Sequence, residues 1–219
     1  VARYLGFDGF RGGWVAAWIE DDGNQGFDYS PTIDRLLTFP YKRAMIDIPI
    51  GLPDVGVRKC DKDARERLGP SVFLGVRRSL LDFDDYPQAN KVYRARDEPG
   101  ISQQLWHIRD KIGEIDRLMT ADPTRALHET HPELIFWSRN GRETLPYKKS
   151  EAGRRKRIEI LQGLGFTRVE QFLAWRFGTG IGRDDLIDAC ACAIAARDAK
   201  RVLGGDEPDP HGLRMEMHY

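Results

Sequence analysis

Tyr4-Leu5-Gly6-Phe7-Asp8-Gly9-Phe10-Arg11-Gly12-Gly13-Trp14-Val15-Ala16-Ala17-Trp18-Ile19 reads as a β-hairpin: two apolar stretches joined through a glycine-rich turn. Its first strand is expected to end at Asp8, with Gly9, Gly12 and Gly13 letting the backbone turn sharply and leave room for a ligand. Taken alone, Asp8 reads equally well as a turn cap. A third weak strand near Gly26 to Tyr29 completes a meander, and Pro31 introduces a short helix carrying Ile33, Leu36 and Leu37.

The next apolar run, Ala44-Met45-Ile46-Asp47-Ile48-Pro49-Ile50-Gly51-Leu52-Pro53, holds a carboxylate among aliphatic side chains. An unpartnered charge there would cost several kcal/mol, so Asp47 must be solvated at a strand end, hydrogen-bonded or bound to a cation. From Val57 to Thr120 the chain turns helical and charged. Asp61 and Arg65, four apart, give a solvated face that ends near Gly69-Pro70, and Asp82 to Asp85 form a solvated loop cluster. Ser102 opens a longer helix whose Leu105, Ile108, Ile112 and Ile115 form a core stripe.

Ala126 to Glu133 is short and extended until Pro132 starts a helix. Its His128-Glu129-Thr130-His131 is not a zinc-protease motif, because the histidines are three apart and precede a proline. In a strand, Glu129 and His131 share a face. Lys148 to Arg157 is the one strongly basic run, readable as a solvated helix face or a phosphate contact. The helix from Asp184, its expected N-cap, aligns Asp185, Asp188, Cys192, Ala195 and Ala199 on one face. Small residues of that kind pack closely on a sheet, so two carboxylates begin the packed side. With no Lys or Arg at a matching position of the first turn, a cation is the expected partner.

Composition sets the outer limits. The chain has 219 residues, 41% hydrophobic and 31% charged, enough for one large globular domain. Lys plus Arg and Asp plus Glu are 34 each, so net charge argues neither for nor against nucleic acid. There is no apolar run of membrane-span length and no secretory-signal pattern at the N-terminus. Cys60, Cys190 and Cys192 make neither a disulfide framework nor a zinc ribbon, which fits a reducing, cytoplasmic setting.

The motifs G-F-D-G-x-R-G-G-W, D-I-P-I-G-L-P, R-x-C-D-x-x-A-R, G-I-S-x-Q, E-x-H-P-E and D-D-L-I-D-A, spread from Gly6 to about Ala196, resemble a bacterial family of unknown function (domain of unknown function four-two-nine) predicted to be RNase H-like nucleases. Its pattern is similar to that of Holliday-junction resolvases, with one Asp on the first strand, an acid on the fourth and D-x-x-D or H-x-x-D on the last helix. The resemblance implies a single α/β domain over residues 1–219 with an RNase H-like fold. A mixed five-stranded sheet, its first three strands antiparallel, would carry helices on both faces and a helical insertion at about 55–122. It further implies Asp8, Asp47, Asp185 and Asp188 as metal ligands and catalytic residues, with Glu129 added from its own motif. Where the family often has proline this chain has Val76, which bears on the shape around Arg77.

A set of carboxylates without clustered Cys or His suits Mg²⁺ or Mn²⁺. Two such ions could hydrolyse a phosphodiester of DNA or RNA by in-line displacement. Arg11, Arg58, Arg65, Arg77, Arg78 and His131 are the expected substrate contacts. Two rivals are an actin-like or sugar-kinase-like ATPase, and a non-catalytic nucleic-acid-binding or scaffold protein that keeps the fold.

Overall fold

The computed structural model describes residues 1–95 and 99–219. Residues 96–98 of the charged helical stretch lie outside the described residues. In chain order the elements are β1 (Arg3–Phe10), β2 (Gly13–Glu20), β3 (Gln25–Ser30), α1 (Ile33–Leu36), β4 (Arg43–Ile46), α2 (Lys59–Leu68), α3 (Tyr86–Ala95), α4 (Gln103–His107) and α5 (Arg109–Ala121). They continue with β5 (Leu127–Glu129), α6 (Pro132–Arg139), α7 (Glu151–Gly163), α8 (Val169–Trp175), α9 (Arg183–Asp198), β6 (Val202–Pro208) and β7 (Arg214–His218).

The chain divides into two compact units, one of residues 1–47, 126–201 and 218–219, the other of residues 48–125 and 202–217. The first holds a mixed five-stranded sheet in the order β3-β2-β1-β4-β5. β1, β2 and β3 are antiparallel neighbours, whereas β4 runs parallel to β1, and β5 to β4. The hairpin is longer than the glycines suggest: pairing continues through Asp8 opposite Val15 to Phe10 opposite Gly13, so the turn falls at Arg11-Gly12. Toward β4 the sheet does end here. The last β1–β4 pair is Phe7 with Ile46, followed by Asp47 N–H donating to Phe7 O at 3.1 Å.

Strand alternation decides what each face presents. Tyr4, Gly6, Asp8 and Phe10 of β1 share the face of Val15, Ala17 and Ile19 of β2 and Met45 of β4, and this face packs on α9. Gly6 makes the packing close: a Cβ there would stand 2.0 Å from Ala193 N and 2.2 Å from Ala189 O. Helix α9 is buried almost all round from Leu186 to Ala196, and α6, α7 and α8 pack against it as well. The opposite face carries Leu5, Phe7, Trp14, Ala16, Ala44 and Ile46, all buried, and its Trp18 packs on Phe39 just beyond α1.

The second unit contains helices α2 to α5 together with the pairing of β6 and β7, which the sequence does not announce. Helix α2 packs against β6, where Gly204 (φ +71°) leaves no room for a side chain beside Cys60. Asp61 does not lie on a wet face: it is 2% exposed and bonded twice to Arg58. The long helix expected after Ser102 is interrupted at Ile108, which separates α4 from α5.

Candidate metal centre

Asp8 and Asp47 end up on the α9 side of the sheet, at the edge where β4 stops. α9 meets that edge with its first turns, so Asp188, 4% exposed, and Asp185 complete the group. Burial pushes the Asp8 carboxyl well above the usual carboxylate range, and the charges of Asp47, Asp188 and Asp185 push it further. Asp47 is raised to about 7 by burial, opposed by Lys148 and reinforced by Glu133. Asp188 is raised to about 7 by burial, with Lys148 opposing and Asp47 and Glu133 reinforcing. Burial also raises Asp185, against its bond to Gly182 N. These four acids therefore share one electrostatic site. They are not drawn tight: among the described residues no three of these four carboxylates come within 4.8 Å of one another.

The site has a resident cation. Lys148, from the loop before α7, places Nζ 3.0 Å from Asp188 Oδ2. Burial would lower its pKa, but Asp188, Asp47 and Asp8 outweigh that and raise it, so the side chain stays an ammonium. The positive partner missing from the first turn of α9 thus comes from elsewhere in the chain. Asp184 is not the N-cap. Gly182 holds that position, and Asp185 Oδ2 accepts its N–H at 2.9 Å, the carboxylate half of a capping box.

Glu129 stands on the other side of the sheet. It pairs with Ile46, whose side chain points away from α9, so the register puts Glu129 opposite to Asp47 and Asp8 despite its 3% exposure. The glutamate beside the aspartates is Glu133, in the first turn of α6. Its carboxylate takes two bonds from Arg157, at 2.9 Å from Nε and 2.6 Å from Nη2. The signal for it was present in E-x-H-P-E: a helix starting at Pro132 directly after β5 puts its first-turn acid at the sheet edge. Nothing local in the sequence marks Lys148 or Arg157 apart from their basic neighbours.

The expected substrate contacts divide between the units, Arg11 and His131 in the first and Arg58, Arg65, Arg77 and Arg78 in the second. Arg11 is exposed in the β1–β2 turn. Arg58 is buried and holds Asp61 and Ile50 O; Arg77, also buried, donates to Gly56 O and lies over the Tyr93 ring. Arg65 is half-buried and donates to Val72 O at 2.7 Å, while Arg78 bridges Asp116 and Asp209. Arg58, Arg77 and Arg78 thus brace the second unit. His131 caps α6, its Nδ1 accepting from Glu133 N at 3.3 Å. The basic run divides likewise: Lys148 faces Asp188, Arg157 is buried on Glu133, and Arg155 and Lys156 are exposed.

The chemistry of the donor set is narrow. Cys192, a turn beyond Asp188 on α9, has its thiol pushed up by burial and by the neighbouring Asp47, Asp8 and Asp188. All three cysteines are buried and unbridged. Among the described residues no helix is long and apolar enough to cross a membrane. Comparison with curated proteins and with solved structures yields no match. A family model does match, from Gly6 to beyond α9, and takes in every acid of the site together with Lys148 and Arg157. On that match, over residues 6–208, the chain belongs to the family described as "Protein of unknown function (DUF429)".

Proposed function

We propose that this protein is a cytoplasmic, Mg²⁺- or Mn²⁺-dependent nuclease with an RNase H-like fold, hydrolysing phosphodiester bonds of DNA or RNA. The observation that carries the reading is the meeting of Asp8, Asp47 and Asp188, from β1, the end of β4 and α9, in one cluster whose members oppose each other's ionisation. It is supported by the pattern of the resemblance: an acid on the first strand, one after the fourth and D-x-x-D on the last helix. The sheet order β3-β2-β1-β4-β5 is compatible with it.

The four aspartates offer oxygen donors, a set that suits a hard divalent ion. Asp8, Asp47 and Asp188 would hold it, with Asp185 adjoining. When bound, such ions supply an activated water and stabilise charge on the phosphate. The chain's own part is positional. Asp8 is fixed by the sheet and by the Gly9 N–H on its Oδ1 at 2.7 Å. Asp188 is fixed by α9, and Glu133, clamped by Arg157, adds negative charge beside Asp47 and Asp188.

A second reading, a nucleic-acid-binding protein without hydrolysis, draws on Lys148, which supplies positive charge to the cluster without any metal. Single-stranded, duplex, hybrid and branched oligonucleotides incubated with millimolar Mn²⁺ separate the two. Cleavage by the wild type and none by Asp8→Asn supports the nuclease. Binding without cleavage favours the second reading, and neither binding nor cleavage refutes both.

A further inference from the structure

The backbone of the loop carrying Lys148 is anchored on both sides of that residue. On one side Arg157 Nη1 donates to Pro146 O at 3.0 Å. On the other, Ser150 Oγ donates to Tyr147 O at 2.7 Å and accepts from Gly153 N at 3.0 Å. Gly153 lies so close that a Cβ would stand 2.0 Å from Tyr147 O. Arg157, which anchors this loop, is also the clamp of Glu133, so one buried guanidinium sets both groups that flank the aspartates. Exposure gives the arrangement a direction: the Lys148 side chain is 38% exposed and that of Asp188 only 6%. The lysine is thus the more solvent-accessible member of the pair.

We propose that Lys148 is an exchangeable counter-ion of the acid site, holding Asp188 until a divalent cation displaces it. This rests on the metal-dependent reading of the same site. Lys148 Nζ occupies Asp188 Oδ2, a divalent ion held by Asp188 would compete for the same carboxylate, and a flexible four-carbon stem lets the ammonium swing outward while the anchored backbone stays in place. A monovalent ion offers no more charge than the lysine it would replace, so the exchange selects ions of charge two.

The test titrates Mn²⁺ alone, by calorimetry at fixed pH and salt, into the wild type, Lys148→Gln and Lys149→Gln. Lys149 is the exposed neighbour and controls for net charge. Removing the competing ammonium should tighten Mn²⁺ binding about tenfold, a modest value because the lysine is partly solvated. Lys149→Gln should match the wild type. Without metal, Lys148→Gln should melt below the wild type, and Mn²⁺ should raise its midpoint further than that of the wild type. Binding by Lys148→Gln alone would also support the exchange. Equal or weaker binding by Lys148→Gln, with the wild type binding normally, overturns the exchange and leaves the metal reading standing. No binding by any of the three proteins overturns the metal reading, and the exchange with it. If Lys148→Gln fails to fold, Lys148→Arg replaces it: a guanidinium holds a carboxylate more firmly, so Mn²⁺ should bind no tighter than to the wild type, and tighter binding refutes the exchange.

Discussion

Replacing Asp188 by Asn should change how stability depends on pH. In the folded protein the Asp188 carboxyl titrates at about 7, raised chiefly by burial. In the unfolded chain it titrates near ~3.9. The folded state therefore keeps a proton that the unfolded state has lost, and stability must fall as pH rises through the folded value. Integrated between about pH 5.5 and 7.5 for a single site, the loss is about 2 kcal/mol. Asp47 titrates in the same range and faces Asp188, so the two acids share that dependence. Urea unfolding followed by tryptophan fluorescence, in EDTA at several pH values, measures it. The wild type should lose stability toward neutral pH, and Asp188→Asn, which cannot titrate, should show a dependence shallower by about 2 kcal/mol. Excess Mn²⁺ at neutral pH should restore the wild type by about 2.7 kcal/mol at a hundredfold excess over the dissociation constant, and restore the variant less. Parallel pH curves for the two proteins, or a wild type that gains stability relative to the variant toward neutral pH, would refute the buried, mutually repelling cluster.

Gly6→Ala should cost about 3 kcal/mol or more, because the new methyl meets the α9 backbone, which cannot move aside; thermal unfolding or loss of soluble protein reports it. Arg157→Leu should cost about 3–5 kcal/mol by stranding Glu133, and the double variant Arg157→Leu/Glu133→Leu should recover part of that, read as a coupling energy in urea unfolding. On an oligonucleotide cleaved by the wild type, Asp8→Asn and Asp47→Asn should lower turnover by about a thousandfold or more, whereas Asp84→Asn, an exposed residue of the second unit, should be silent. If the exposed Arg155 and Lys156 contact phosphates, changing both to Gln should flatten the salt dependence of binding, and an unchanged slope returns them to the solvated surface.

Local chemistry was enough for much of this protein. Alternating apolar residues and the glycines marked the β1–β2 hairpin; Asp47 inside an aliphatic run had to be solvated at a strand end, hydrogen-bonded or bound to a cation; Pro132 opened α6; and the small-residue face of α9 identified Asp185 and Asp188 as carboxylates on the packed side. Each is a feature of neighbouring residues, set by backbone freedom or by the cost of burying charge. Other features depend on partners far along the chain. Which face Glu129 presents follows from its register against β4, and a shift of one residue would have turned it toward Asp8. Asp61 and Arg157 look like surface charges in any short window and prove to be buried members of ion pairs. Lys148 is one lysine in a basic run until the folded loop brings it to Asp188, forty residues on. The sequence by itself therefore determined the β1–β2 hairpin, the start of α6 and the segments that carry Asp8, Asp47, Asp185 and Asp188. Only the tertiary structure decided which glutamate joined them and which cation they met, because register and loop reach are set by contacts between segments rather than within them.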